Sequence, residues 1–210
     1  MADYKTVRAA ASGELTEKRS RFIGYCKPVS TEEEATAFIA SIRSRHWDAR
    51  HNVYAYSLRE VNLRRYSDDG EPSGTAGMPV LDVLQKSGVT DVCVVVTRYF
   101  GGVLLGTGGL VRAYSQAARL GLNAAQVVLM ERCACCTLRC SYTHYGKIAS
   151  LLQEHGAGLD DTVYEADVLL RFHIKPEALP GLNKALADAT AGEIAVETEK
   201  EAYFPKPEKI

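Results

Sequence analysis

The feature that most constrains the fold is an unbroken apolar run that leads directly into a glycine-rich loop. DVCVVVT (91–97) shows no polar alternation, which is typical of a strand buried on both faces of its sheet. RYFGGVLLGTGGLVRAY (98–114) follows it and holds five glycines. A helix is predicted from about Gly108 to Ala125, because apolar residues recur there at helical spacing. Strand, loop and helix therefore follow one another directly.

The chain before this run predicts alternating strands and helices. A turn is expected at Ser12-Gly13, between the first two strands. Ser30 and Glu33 have capping-box spacing at the start of the first helix. RRYSDDGEPSGTAGMP (64–79) consists of turn-forming residues from end to end. The predicted elements are strands at 6–11, 20–29 and 51–58, a helix at 31–45 and a short helix that ends at Gly88.

After Gln126 the pattern changes to βαββαβ, the split βαβ order of ferredoxin-like domains. The strands are expected at 132–141, 158–164, 166–174 and 193–202, and the helices at 145–155 and 177–189. We therefore predict an α+β protein with a first domain at 1–130, a second at 131–204 and a loose tail at 205–210.

Composition and charge narrow the function classes. No apolar run approaches the roughly 18 residues of a membrane span, and the charged N-terminus lacks a signal-peptide core, so a cytoplasmic protein without membrane contact is expected. CACCTLRC (133–140) holds four of the six cysteines, which are expected to be reduced and buried. On a strand, Cys133 and Cys135 face away from Cys136 and Cys140, so no shared metal centre is predicted. Net charge is +3 for residues 1–130 and −4 for 131–210, which permits an anionic partner for the first half.

The glycine-rich loop predicts a phosphate-binding site. Glycines let backbone N–H groups approach an anion at a helix start, and flanking guanidinium groups and exposed aromatic rings suit phosphates and stacked bases. Neither GxxxxGK[ST] nor GxGxxG occurs, which disfavours a nucleotide P-loop. Tight packing between strand and helix remains the alternative explanation. The candidate residues are Arg98, Tyr99, Phe100, Gly101, Gly102, Gly106, Gly108, Gly109 and Arg112.

A second candidate is the loop DDGEPSGT, which could line the same cleft. Its members are Asp68, Asp69, Gly70, Glu71, Pro72, Ser73, Gly74 and Thr75. Three carboxylates within four residues are compatible with a structural turn, a binding loop, an Mg²⁺ site or a general base. His51 is the histidine expected nearest to both loops. It could pair with Ser73 as in a hydrolase, although no GxSxG motif supports this.

These two stretches, YSDDGEPSGTAGMPVLDVL and VVVTRYFGGVLLGTGGLVRAYSQA, resemble the signature blocks of the YigZ/IMPACT family. The resemblance implies a ribosomal-protein-like N-terminal domain, similar to the fourth domain of elongation factor G. It also implies a ferredoxin-like C-terminal domain similar to the fifth domain of that factor. Eukaryotic IMPACT proteins carry an additional N-terminal domain and restrain a starvation-responsive kinase, whereas this chain resembles the bacterial YigZ type.

Three functional hypotheses follow, and the first, which the sequence favours, involves no cofactor. The first is a non-catalytic protein that binds RNA or a ribosome-associated partner and acts in translation or stress. The second is an enzyme or binder for a small phosphorylated or nucleotide ligand, in which Asp69 or Glu71 would hold Mg²⁺ and Asp68 would act as base. The third is a protein–protein interaction module that regulates translation through the turn at Arg98, Tyr99 and Phe100.

Overall fold

A computed structural model describes residues 3–206 of the 210-residue chain. The chain forms two compact units, Tyr4–Leu129 and the part from Met130 onward together with Asp3. The architecture is α+β, as the sequence predicts. The independent domains predicted at 1–130 and 131–204 stay a prediction. Of the predicted loose tail at 205–210, Pro205 ends a strand, and residues 207–210 lie outside the described residues.

The described residues of the first unit contain six strands and three helices. The strands are β1 (Tyr4–Val7), β2 (Ala11–Glu17), β3 (Ser20–Pro28), β4 (His51–Leu58), β5 (Leu63–Ser67) and β6 (Val92–Tyr99), and the helices are α1 (Glu32–Arg45), α2 (Gly77–Ser87) and α3 (Thr107–Ala125). Five of the strands form one antiparallel sheet with the order β2-β3-β6-β4-β5. The short strand β1 precedes this sheet and is joined by backbone hydrogen bonding to the segment that leads into β6.

Strand β6 is the central strand of this sheet and is buried on both faces. Val94 and Val96 lie in a core formed with α2 and α3, whereas Cys93 and Val95 lie in a second core with α1. Alternate side chains of a strand point to opposite faces, so an apolar strand of this kind requires helices on both sides of the sheet. The prediction from the run at 91–97 is confirmed.

Three local predictions for this unit are wrong. Ser12 and Gly13 lie inside β2 rather than in a turn. A Cβ on Gly13 would lie 2.9 Å from the backbone of Leu120, so this glycine serves the close approach of α3 to the sheet. Residues 63–67 form the edge strand β5 instead of a turn. The N-cap of α1 is Thr31 rather than Ser30, and its side chain accepts a hydrogen bond from the Glu34 N–H.

The second unit has the order β7 (Val127–Cys140, which belongs to this unit from Met130 onward), α4 (Tyr142–Glu154), β8 (Gly158–Tyr164), β9 (Val168–Ile174), α5 (Leu179–Thr190) and β10 (Glu197–Pro205). Its strands are arranged β10-β7-β9-β8, and each neighbouring pair is antiparallel. This confirms the predicted ferredoxin-like βαββαβ pattern. The bounds differ most at the sheet centre, where β7 begins five residues earlier than predicted.

The cysteines follow the strand alternation predicted for CACCTLRC. Cys136 and Cys140 belong to the core of the second unit, whereas Cys133 and Cys135 lie on the opposite side of β7. All six cysteines are free thiols, and burial raises the pKa of Cys26 to about 12. None of the helices within residues 3–206 combines the length and apolar character needed to cross a bilayer.

Candidate functional site

The two signature loops meet in a pocket of about 470 Å³ in the first unit. We call it the Arg98 pocket. Its polar lining comes from Arg50, His51, Glu71, Arg98 and Thr107. Its apolar lining comes from Pro72, Phe100, Leu104, Leu105 and Leu110, with Gly106 between them. The end of β6, the loop after β5 and the start of α3 therefore contribute to one concave site.

A buried ion pair forms the inner wall of the pocket. Arg98 and Glu71 are only 5% and 8% exposed, and Arg98 Nη1 lies 2.5 Å from Glu71 Oε1. The Tyr114 hydroxyl donates to the same oxygen over 2.8 Å. Burial, and next the Glu71 carboxylate, raise the pKa of Tyr114 far above its ordinary value, so this hydroxyl stays a donor. Removing either charge would leave the other buried without a partner, which is strongly destabilising.

The Arg98 guanidinium has unused hydrogen-bonding capacity. Its Nε is buried and finds no hydrogen-bond partner among residues 3–206. The group lies between two aromatic rings, with Cζ 5.4 Å from the centroid of Phe22 and 5.5 Å from that of Phe100. Buried polar groups are normally satisfied, so this N–H is a candidate donor to a bound water or ligand.

His51 connects the pocket to the DDGEPSGT loop. Its Nδ1 donates to the carbonyl oxygen of Asp69 over 2.7 Å, which fixes the ring orientation. Its Nε2 then faces Glu71 Oε1 at 3.8 Å. The histidine is thereby held as a second polar wall of the pocket, next to the ion pair.

Helix α3 begins at the pocket without a capping side chain. Its N-cap is Gly106, whose φ of 73° lies in a region that favours glycine, and no side chain within the described residues caps this end. No acidic residue occurs in its first turn. Thr107 and the exposed Arg50 lie at the same opening. Unpaired N–H groups and the helix dipole make such a start favourable for an anion.

Asp68 and Asp69, by contrast, are occupied by the protein itself. Asp68 accepts hydrogen bonds from the N–H groups of Gly74, Ala76 and Gly77 at 2.9, 3.1 and 2.7 Å. Asp69 pairs with Arg43 and accepts the N–H of Asn52, both over 2.6 Å. These bonds shape the loop and begin α2. Within the described part of the chain, no group of three or more metal-ligating side chains is assembled.

The remaining predicted residues do not line the Arg98 pocket. Tyr99 donates to Asp48 over 3.1 Å and also contacts Nδ1 of His46, so its hydroxyl is occupied. Gly101 packs on the backbone of Arg19, where a Cβ would clash. Arg112 lines a separate groove between α2 and α3. Gly102 is exposed, and Gly108 and Gly109 lie in the first turn of α3. Gly70 lies next to the His51 ring. The residues that lead into α2 are Ser73, Gly74 and Thr75.

Sequence reasoning missed several residues that line the pocket: Arg50, Leu104, Leu105, Thr107 and Leu110. Leu110 is buried at helical spacing and Leu104 is 82% exposed although it is apolar, so neither carries a local signal for a binding site. Helix phase could have separated Arg112 from Arg98, because Leu110 and Tyr114 face the core and Arg112 lies between them.

Comparison with known proteins places this architecture in a family. The Impact N-terminal domain matches residues 18–122, and a domain of unknown function (DUF1949) matches residues 138–193. The chain is 38% identical to the IMPACT family member YvyE of Bacillus subtilis (strain 168) over 204 residues, which cover 97% of this chain and 94% of that protein. It is 39% identical to the IMPACT family member YigZ of Escherichia coli (strain K12) over 184 residues, covering 84% and 88%.

A solved structure has a similar fold. It is described as the crystal structure of a hypothetical protein and is 34% identical to this chain, with a TM-score of 0.60 and coverage of 95% of this chain and 98% of the other. All residues that line the Arg98 pocket lie inside the segment that the Impact N-terminal domain matches. The chain belongs to the IMPACT family.

Proposed function

We propose that this protein binds single-stranded RNA in the cytoplasm and that the Arg98 pocket receives one nucleotide of the strand. The observation that carries the proposal is Arg98, a buried cation in the pocket wall whose Nε has no partner among the described residues. A guanidinium in this condition is suited to a phosphate, because charge-assisted hydrogen bonds to phosphate oxygens are strong.

The phosphate would lie between Arg98, Arg50 and the start of α3. Glu71 offsets one of these positive charges, since it pairs with Arg98, and Arg50 adds a charge at the exposed rim. The N–H groups that begin α3, at Thr107 and the two residues after it, have no capping side chain within the described residues. Together they would form an anion site built from side chains and backbone.

The base would lie against the apolar side of the same pocket. Phe100 is 48% exposed and Leu104 is 82% exposed, and both line the pocket. Phe100 also lies beside the Arg98 guanidinium, and base stacking on an aromatic ring contributes roughly 1–3 kcal/mol per base. Tyr99 is not assigned to stacking, because its hydroxyl is held by Asp48 and His46.

A free nucleotide or another small phosphorylated ligand is the second candidate. A volume of about 470 Å³ lies within the range of small-molecule pockets, roughly 300–1,000 Å³, and this favours it. The Mg²⁺-dependent version has less support, because Asp68 and Asp69 are used by backbone N–H groups and by Arg43. Failure of the wild-type protein to bind either RNA or uridine monophosphate would favour the third hypothesis, a protein partner in translation or stress response.

The proposal is tested by fluorescence anisotropy with a labelled 12-nucleotide single-stranded RNA at low salt. Arg50→Glu reverses an exposed charge at the rim of the pocket, so the affinity should fall by about tenfold, or roughly 1.4 kcal/mol. Phe100→Ala should lower it to a similar extent by removing the stacking surface.

Arg64→Glu is the matched control, since Arg64 is an exposed arginine on β5 and does not line the pocket. It should bind RNA almost as the wild type does. Equal losses for Arg50→Glu and Arg64→Glu would assign the binding to general charge and contradict the pocket. Wild-type protein that binds uridine monophosphate as tightly as the 12-nucleotide strand would instead support the small-ligand function.

A further inference from the structure

The groove between α2 and α3 carries basic residues that the Arg98 pocket does not use. Arg112 and Arg119 lie seven residues apart on α3, which places them two helical turns, or about 10.5 Å, apart along the same face. Lys86 faces them from the last turn of α2. The groove has a volume of about 540 Å³, and these three cations line it.

The charges in this groove are not balanced by the protein. Its lining contains one carboxylate, Asp82, which already lies 3.8 Å from Lys86. Within the described residues, neither Arg112 nor Arg119 has an ion pair or a side-chain hydrogen bond. Two exposed guanidinium groups and an ammonium group along one groove therefore give a net charge of +2, which complements a chain of phosphates.

The groove also offers apolar surface at its floor. Met78 is 40% exposed and Val111 is 38% exposed, and both line it. A cationic wall beside exposed apolar side chains suits a polymer with charged phosphates and less polar sugars and bases.

The groove is adjacent to the Arg98 pocket across the start of α3. Leu110 lines the pocket and Val111 lines the groove, and in the loop before α2 the same change occurs between Pro72 and Gly74. A Cβ placed on Gly108, in the first turn of α3, would lie 3.8 Å from an Arg112 guanidinium nitrogen. Arg112 thus reaches back toward the same helix start that opens into the pocket.

We infer that the α2/α3 groove binds the phosphate backbone of the RNA strand that continues from the Arg98 pocket, through Arg112, Arg119 and Lys86. The inference rests on the proposed function and adds the path of the strand over the start of α3. It also assigns Arg112 a different phosphate from the one bound near Arg98. Affinity should therefore increase with RNA length beyond one nucleotide.

The test compares uridine monophosphate with labelled uridine oligonucleotides of 3, 6 and 12 residues over a salt titration. For Arg112→Ala/Arg119→Ala, 12-nucleotide affinity should fall by about tenfold, and the slope of log affinity against log salt should decrease by about 1.4, which is 0.7 for each of two lost phosphate contacts. Binding of uridine monophosphate should not change. Arg64→Ala/Arg65→Ala, two exposed arginines on β5, is the matched control and should retain the wild-type slope.

The outcomes separate this inference from the proposed function. Unchanged 12-nucleotide affinity and salt slope in the α3 double variant would overturn the groove and leave the pocket intact. A loss in the double variant combined with no loss in Arg50→Glu would overturn the pocket and support the groove. Wild-type protein that binds none of these oligonucleotides at low salt would overturn both. Circular dichroism and thermal unfolding confirm that each variant is folded.

Discussion

The three helices of the first unit begin in two different ways. At α1, Thr31 accepts the Glu34 N–H, and three glutamates occupy the first turn. At α2, the carboxylate of Asp68 accepts the N–H groups of Ala76 and Gly77. At α3, within the described residues, the start has neither a capping side chain nor an acidic residue, and Arg50 and Arg98 line the pocket beside it.

This difference indicates where the molecule uses its own anions and where it leaves room for another. Carboxylates near a helix N-terminus are stabilising, and the sequence supplies them to α1 and α2. Arg50 and Arg98 add positive charge beside the third terminus, and Glu71 offsets only one of these two charges. The start of α3 is therefore where we propose the anion site, whereas the other two starts are capped by the protein's own side chains.

Among the three helix starts, the largest effect on stability is expected at α2. Asp68→Ala would leave three N–H groups without their acceptor, and each orphaned donor costs roughly 1–3 kcal/mol, so the free energy of unfolding should fall by about 3 kcal/mol. Urea denaturation measures it. Asp68→Asn keeps one acceptor oxygen and should lose less. If Asp68→Ala unfolds at the wild-type urea midpoint, the carboxylate does not have this capping role.

A smaller loss is expected at α1. Thr31→Ala removes one side-chain cap, which contributes about 1 kcal/mol, and should lower the free energy of unfolding by that amount. RNA affinity in the anisotropy assay should stay at the wild-type value, since α1 packs on the face of the sheet opposite α3. A large loss of RNA affinity in Thr31→Ala would mean that the capped helix starts also take part in binding.

Much of the fold could be predicted because its signals are local. The apolar run of β6 predicts a strand covered on both faces, and the element order after Gln126 predicts the ferredoxin-like unit. The errors arise where a distant segment decides the structure. Glycine is a typical turn residue, but Gly13 allows the close approach of α3 at Leu120, more than 100 residues away in the chain. Strand β5 has few buried side chains, so its sequence lacks a strand pattern.

The site was less predictable, since its central contacts join residues far apart in sequence. Arg98 and Glu71 are 27 positions apart, and no local pattern shows that Arg98 is buried in an ion pair rather than exposed beside the loop. The segment that supplies Arg50 gives no motif at all. Arg98 and Arg112 flank the glycines on either side in the sequence, which predicts a shared site. The structure divides them between the Arg98 pocket and the α2/α3 groove.

The most direct test of the claim that α3 begins at an anion site is Thr107→Asp, with both stability and RNA affinity measured. A carboxylate at this exposed first position supplies the missing negative charge, so the free energy of unfolding should rise by about 0.5 kcal/mol. The same charge would repel a phosphate, so affinity for the 12-nucleotide RNA should fall at least about tenfold relative to the uncharged Thr107→Asn control. Equal RNA affinity in the two variants would contradict the account.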